Sequence, residues 1–287
     1  MTGDDIFYTS SDGLALHARS YGASNDGSAI VCLHGLTRNH KDFEPMIAGL
    51  GMSDRFISVD IRGRGQSERD PDPANYNPAI YAGDVLVLLD QLKLERVHLI
   101  GTSMGGIISM ILMTMIPDRI SSVVLNDVGP VVEQAGLRRI MASAAPSAGY
   151  GSWSAAAEAV ARSQAVPYPR LTPEDWIAFA RRTHREEDNG QVVPDFDPAI
   201  ITPVPDKPPG LAARLGMWRL FAKMKTAPLL VIRGEQSDIL SAKTADKMVK
   251  RHKRASLATI PGVGHAPLLN EPESLSAIRH FLGETAA

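Results

Sequence analysis

Short, continuously apolar runs recur along this sequence, and most are followed by a longer segment with helical spacing. The runs at 29–33, 55–60, 97–101, 122–126, 229–233 and 255–260 show little of the in–out alternation of a half-exposed strand. A strand that is apolar on both sides must be covered on both faces, as in a parallel sheet held between helices. Helical spacing is read over 40–50, 79–93, 104–116, 242–252 and 271–282, with Pro78 suited to a helix start and Pro117 to a stop. Ahead of these, 6–10 and 14–21 bracket the turn Ser11-Asp12-Gly13 and read as an antiparallel hairpin. The expected fold class is therefore α/β, with a mostly parallel sheet flanked by helices.

The alternation breaks between about Val131 and Lys225. Ninety residues are too many for one loop. Helical spacing returns at 154–162, 173–185 and 211–225, and a proline-dense stretch, ITPVPDKPPG, precedes the last of these. The expected organisation is a core domain from 1–130 and 226–287, interrupted by a helical cap and connecting segment at 131–225. With 287 residues, 44% of them hydrophobic, such a core needs no disulfide or metal staple. The single cysteine, Cys32, sits in an apolar run and reads as a small buried hydrophobe. A net charge of −2 argues against a nucleic-acid binder. The acidic start MTGDDIFYTS has no apolar signal core and no stretch of 18 apolar residues occurs, so a cytoplasmic protein with no membrane span is expected.

Gly101-Thr102-Ser103-Met104-Gly105-Gly106 lies between a strand and a helix. That is the setting of a nucleophile elbow, where a sharp turn lifts a serine hydroxyl out of the sheet at a helix N-terminus. A serine nucleophile needs a base. His265, in the Gly/Pro loop Pro261-Gly262-Val263-Gly264-His265-Ala266-Pro267 after the last strand, is the candidate. The base needs an orienting carboxylate. Asp238, after the strand at 229–233, is the expected residue, with Asp127 and Glu235 as rivals. Acyl transfer also needs an oxyanion hole, for which the amides of Leu36 and Met104 are expected. His34 is expected to brace the loop that carries Leu36.

Together with Asp60-Ile61-Arg62-Gly63-Arg64-Gly65-Gln66-Ser67, His34-Gly35, Gly234 and Gly264, these residues resemble the α/β-hydrolase fold superfamily. The resemblance spans residues 5–130 and 226–285. It implies an eight-stranded sheet, a cap inserted over the site, and the chain order nucleophile, acid, base that Ser103, Asp238 and His265 follow. Serine at the elbow disfavours dehalogenation and epoxide hydrolysis, which in this superfamily use aspartate there. The implied activity is that of a serine hydrolase acting on a small-molecule carboxylic ester or lactone, with neither cofactor nor metal. Two alternatives stand beside it: C–C bond hydrolysis of a meta-cleavage-type vinylogous diketone, and a hydrolase-fold ligand receptor. Within the cap, Trp176 with Phe179 and Trp218 with Phe221 are three residues apart, so either pair is placed to wall an apolar pocket. Arg38 is placed to meet an anionic substrate. A homodimer stays open.

Overall fold

The computed structural model describes residues 2–22, 29–51, 54–144, 149–201 and 210–285. The chain begins with β1 (Asp4–Thr9), β2 (Ala15–Tyr21) and β3 (Ala29–Leu33), followed by α1 (Glu44–Leu50), β4 (Arg55–Asp60), α2 (Pro78–Gln91), β5 (Val97–Thr102), α3 (Met104–Met115) and β6 (Ile120–Asn126). The connection that follows holds α4 (Gln134–Ser143), α5 (Trp153–Gln164), α6 (Pro173–Thr183), a hairpin of β7 (His184–Glu186) and β8 (Val192–Pro194), and α7 (Leu211–Ala222). The sheet resumes with β9 (Leu229–Gly234), α8 (Ala242–Arg251), β10 (Ala255–Ile260) and α9 (Pro272–Thr285).

Eight strands form one sheet in the order β1-β2-β4-β3-β5-β6-β9-β10. β2 runs antiparallel to β1 and β4, and every other pairing is parallel. The continuous apolar runs explain this arrangement, because successive residues of one strand enter opposite cores. Val31 and Leu33 face α2 and α3 beside Leu88 and Ile108, while Ile30 and Cys32 join Met46, Phe281 and the α6 residues Phe179 and Ala180. Burial raises the Cys32 thiol's pKa well above its usual value, which leaves it an inert hydrophobe.

Two expectations are adjusted here. The segment 40–50 is a short 3-10 turn, His40–Phe43, before α1 rather than one helix. The helix expected over 173–185 stops at Thr183, because β7 pairs with β8 and carries the chain back toward the core. Most of the proline-dense stretch, residues 202–209, lies outside the described residues. Among the described residues no helix is long and apolar enough to cross a membrane.

Candidate active site

Ser103 occupies the one-residue turn between β5 and α3, with φ 52° and ψ −112°. A non-glycine residue in that region is strained by about 1–3 kcal/mol and persists only where its surroundings impose it. The surroundings here are close-packed backbone. A Cβ on Gly105 would collide with the Leu33 carbonyl, and one on Gly101 with the Gly105 carbonyl. The Ser103 amide is tied to the Asn126 carbonyl of β6 at 2.9 Å. The elbow is thus wedged among β3, β5 and β6, and Ser103 Oγ stands at the carboxyl edge of the sheet.

His265 lies in the loop after β10. Its Nε2 is 3.0 Å from Ser103 Oγ and its Nδ1 is 2.7 Å from Asp127 Oδ2. Asp127 is an acceptor, so Nδ1 carries the ring proton and Nε2 is left to receive the serine proton. Several contacts hold this loop. Asn126 Nδ2 donates to the Pro267 carbonyl at 2.8 Å, and Gly264 N to the Pro167 carbonyl at 2.8 Å. The Tyr168 hydroxyl donates to the Ala266 carbonyl at 2.8 Å. The connection between β6 and β9 therefore grips the histidine loop through residues 167 and 168, a role that nothing in the local sequence around Tyr168 announces.

The carboxylate facing His265 is Asp127, not the expected Asp238. Asp127 is fully buried and also accepts from Ser237 Oγ at 2.6 Å and from Gly234 N at 3.0 Å. Asp238 is turned toward α4, where Arg139 Nε and Nη2 bind its two oxygens at 2.6 and 2.7 Å. That ion pair holds the Asp238 carboxyl below its usual pKa. Both aspartates follow strands that end beside each other, so position along the chain does not separate them. Arg139, which captures Asp238, comes from α4 and is a feature only the fold brings near.

Met104 is the first residue of α3, so its N–H has no carbonyl within the helix to donate to. On the opposite loop, His34 fixes the peptide that carries the Leu36 N–H. Its Nε2 accepts from Ile61 N at 3.1 Å, and its Nδ1 therefore donates to the Gly35 carbonyl at 2.7 Å. Burial holds the His34 ring pKa down to about 4, which keeps this tautomer in place at neutral pH.

The cleft above Ser103 is bounded by Leu36, Arg38, Arg139, Gln164, Tyr168 and His265 among others. A second chamber shares Thr37, Arg38, Ser143 and Gln164 with it and continues toward Val160 and Phe179. Arg38 stands between the two, bound to Asp42 at 2.8 Å with its guanidinium 4.2 Å from the centre of the Phe179 ring. Of the aromatic residues expected to wall a pocket, only Phe179 does so. Trp176 packs on Tyr168 and Phe179 in the core beneath. Trp218 is capped on its outer side by Lys247 and Arg251, each 4.7 Å from its ring, and Phe221 is buried next to His252. These two belong to the packing of α7 on the sheet domain, because α7 lies against α3 and not over the elbow.

Among the described residues, one cluster has metal-ligand composition: His17, His40 and Asp60, all buried. Its members satisfy one another by hydrogen bonding. Asp60 accepts from His17 Nδ1 at 2.7 Å, from His40 Nδ1 at 2.9 Å and from the His40 and Gln66 amides.

The model of the alpha/beta hydrolase family matches residues 30–278 of this chain. The chain belongs to that family. It is 32% identical over 276 residues to a 3-hydroxybutyrate-oligomer hydrolase of Cupriavidus necator, with 93% of each protein covered. It is 29% identical to the esterase YbfF of Escherichia coli, over 94% of this chain and all of that one. A solved alpha/beta hydrolase from Novosphingobium aromaticivorans superposes with a TM-score of 0.90 at 41% identity, covering 98% of both chains. This alpha/beta hydrolase thus has relatives named as esterase and as oligomer hydrolase.

Proposed function

We propose that this alpha/beta hydrolase is a serine esterase that works through an acyl-enzyme. The observation that carries the reading is the unbroken hydrogen-bond chain Ser103–His265–Asp127 at the floor of the cleft. Ser103 Oγ attacks the ester or lactone carbonyl as its proton passes to His265 Nε2. The amides of Leu36 and Met104 receive the developing oxyanion. Imidazolium, stabilised by Asp127, then protonates the leaving alkoxide, and water repeats the sequence to release the acid. Residues 131–225 act as the cap that shapes the cleft. Every group this scheme uses belongs to the chain, to the substrate or to water, so it calls on no cofactor.

For the substrate we propose a short oligoester of hydroxy acids. The 32% identity with a 3-hydroxybutyrate-oligomer hydrolase supports this. So does a cleft in which the apolar Phe179 and Val160 share the wall with Thr37, Arg38, Ser143 and Gln164, since such a substrate alternates apolar methyls with ester oxygens.

The test is Ser103→Ala, assayed on p-nitrophenyl butyrate and on a 3-hydroxybutyrate dimer. A loss of about 10⁴–10⁶ in kcat with the fold retained is expected on both. A folded Ser103→Ala protein that still hydrolyses both at the wild-type rate overturns the mechanism. A wild-type protein that binds such esters without turning them over supports the receptor alternative instead. Activity on p-nitrophenyl butyrate with none on the dimer overturns the substrate class alone.

A further inference from the structure

Arg62 and Arg64 are both 1% exposed, yet their surroundings differ in kind. Arg62 is enclosed by three carboxylates, Asp12, Asp70 and Asp84, at 2.6–2.8 Å. Arg64 makes no ion pair among the described residues. Its donors go to neutral groups: Nε to the Leu36 carbonyl at 3.0 Å, Nη1 to the Arg62 carbonyl at 2.7 Å and the Tyr81 hydroxyl at 3.1 Å, and Nη2 to Met104 Sδ at 3.8 Å. The rings of Tyr81 and Tyr76 lie 5.1 and 5.6 Å from its guanidinium.

A guanidinium keeps its proton in a protein. Burying one without a counter-charge is expensive, and an apolar side chain of similar volume would serve packing at least as well. The location gives the charge a use. Leu36 and Met104 are the two residues whose amides serve as oxyanion donors in the reading above, and Arg64 touches both. The peptide before Leu36 is held by His34 at the Gly35 carbonyl, and the peptide after it by Arg64 at the Leu36 carbonyl. The plane that carries the Leu36 N–H and the plane that follows it are thereby both held before substrate arrives. Asp197, held by the Tyr76 hydroxyl, acts on Arg64 only from beyond ion-pair distance, and a positive charge without a direct ion pair in a low-dielectric interior favours negative charge developing nearby.

We propose that Arg64 is a positioning residue for the oxyanion hole, locking the Leu36 loop and lending it a positive charge that no direct ion pair neutralises. The inference rests on the serine-esterase reading and goes beyond it by naming what stands behind the donors. Such a residue acts on the transition state and not on substrate affinity. Its signature is a change in kcat with KM unchanged.

The experiment uses Arg64→Gln and Arg64→Lys in the full-length protein, with p-nitrophenyl butyrate as substrate and an alkyl trifluoromethyl ketone as inhibitor. Ser103 adds to the ketone to give a hemiketal whose oxygen carries the charge the hole must hold. Removing a direct donor costs about 10²–10³ in kcat, so an indirect support is expected to cost about 10–100-fold. Arg64→Gln should lower kcat by that factor, leave KM within about twofold and weaken the ketone in parallel with kcat. Arg64→Lys, which keeps the charge, should recover part of both losses. Having two variants allows for one of them failing to fold. A folded Arg64→Gln protein with wild-type kcat overturns the proposal, as does a loss of kcat that leaves ketone affinity untouched. A lysine variant no better than glutamine overturns the part assigned to charge. Ser103→Ala in the same assay separates the two levels: if it retains activity the esterase reading itself falls, and if it is inactive while Arg64→Gln is normal, only this inference falls.

Discussion

Three donors converge on the carboxylate of Asp127, and its backbone is as unusual as its partners. The residue has φ 56°, a left-handed conformation that Asp tolerates better than most residues. Its amide is fixed by the Ile232 carbonyl at 2.8 Å. That bend, one residue beyond β6, turns the side chain across the end of β9, where Gly234 N and Ser237 Oγ are waiting. Asp238 has the better sequence credentials, since it follows the strand before the histidine loop, but Arg139 binds both of its oxygens. Asp127→Asn is therefore expected to lower kcat by about 10⁴, because the imidazole loses its anionic partner and its tautomer. Asp238→Asn should cost less than about tenfold, since a surface-facing ion pair contributes little. Steady-state kinetics of the two variants on one ester decide the matter, and a larger loss in Asp238→Asn would return the assignment to that residue.

At the scale of elements, legibility followed locality. The elbow was readable because strand, glycine spacing and helix are contiguous in sequence, and the same holds for His265 in its glycine loop. The sheet was readable because a strand covered on both faces must be apolar throughout. The connection between β6 and β9 was not readable to the same depth, because its helices carry aromatic residues at the same spacing whether they face a cleft or a core. Trp218 with Phe221 and Trp176 with Phe179 look alike in sequence, yet only Phe179 reaches a chamber, since α6 packs beside the Arg38 loop and α7 against α3. From this follows a contrast between two helices. Phe179→Leu removes ring volume from the far chamber and should raise the preference for longer over shorter acyl chains by about tenfold, within the range that small apolar volume changes produce. Trp218→Leu should leave the chain-length profile as it is. An unchanged profile in a folded Phe179→Leu protein would show that the second chamber takes no part in substrate binding.

For the whole molecule, the titration of its buried groups predicts how stability depends on pH. Burial lowers the pKa of His34, to about 4, and also those of His98 and His184. In the unfolded chain these rings titrate near the usual value of about 6.5. Between that value and the lowered ones the unfolded state binds more protons, so stability is lost as pH falls from about 6.5 toward 4. The extra proton at His34 alone corresponds to a slope of at most about 1.4 kcal/mol per pH unit in that range, and His98 and His184 add to it in the same direction. Lower still, burial works against ionisation of Asp60, but hydrogen bonds from His17 and His40 outweigh it and hold its pKa below normal. Its contribution is therefore lost only in stronger acid. His17 acts in the opposite sense. Burial alone would lower its pKa, but the hydrogen bonds to Asp60 and Asp5 outweigh burial and raise it. Its contribution is complete below about 6.5 and disappears as pH rises through the raised value. The urea midpoint should accordingly be greatest near pH 6.5–7 and decline on both sides, more steeply toward acid. His17→Gln should lower stability at pH 6 and flatten the alkaline side, since the group that loses its proton there is gone. A midpoint level from about pH 5 to 6.5 would mean that His34, His98 and His184 do not couple protonation to folding, and an alkaline decline that survives His17→Gln would mean that His17 does not.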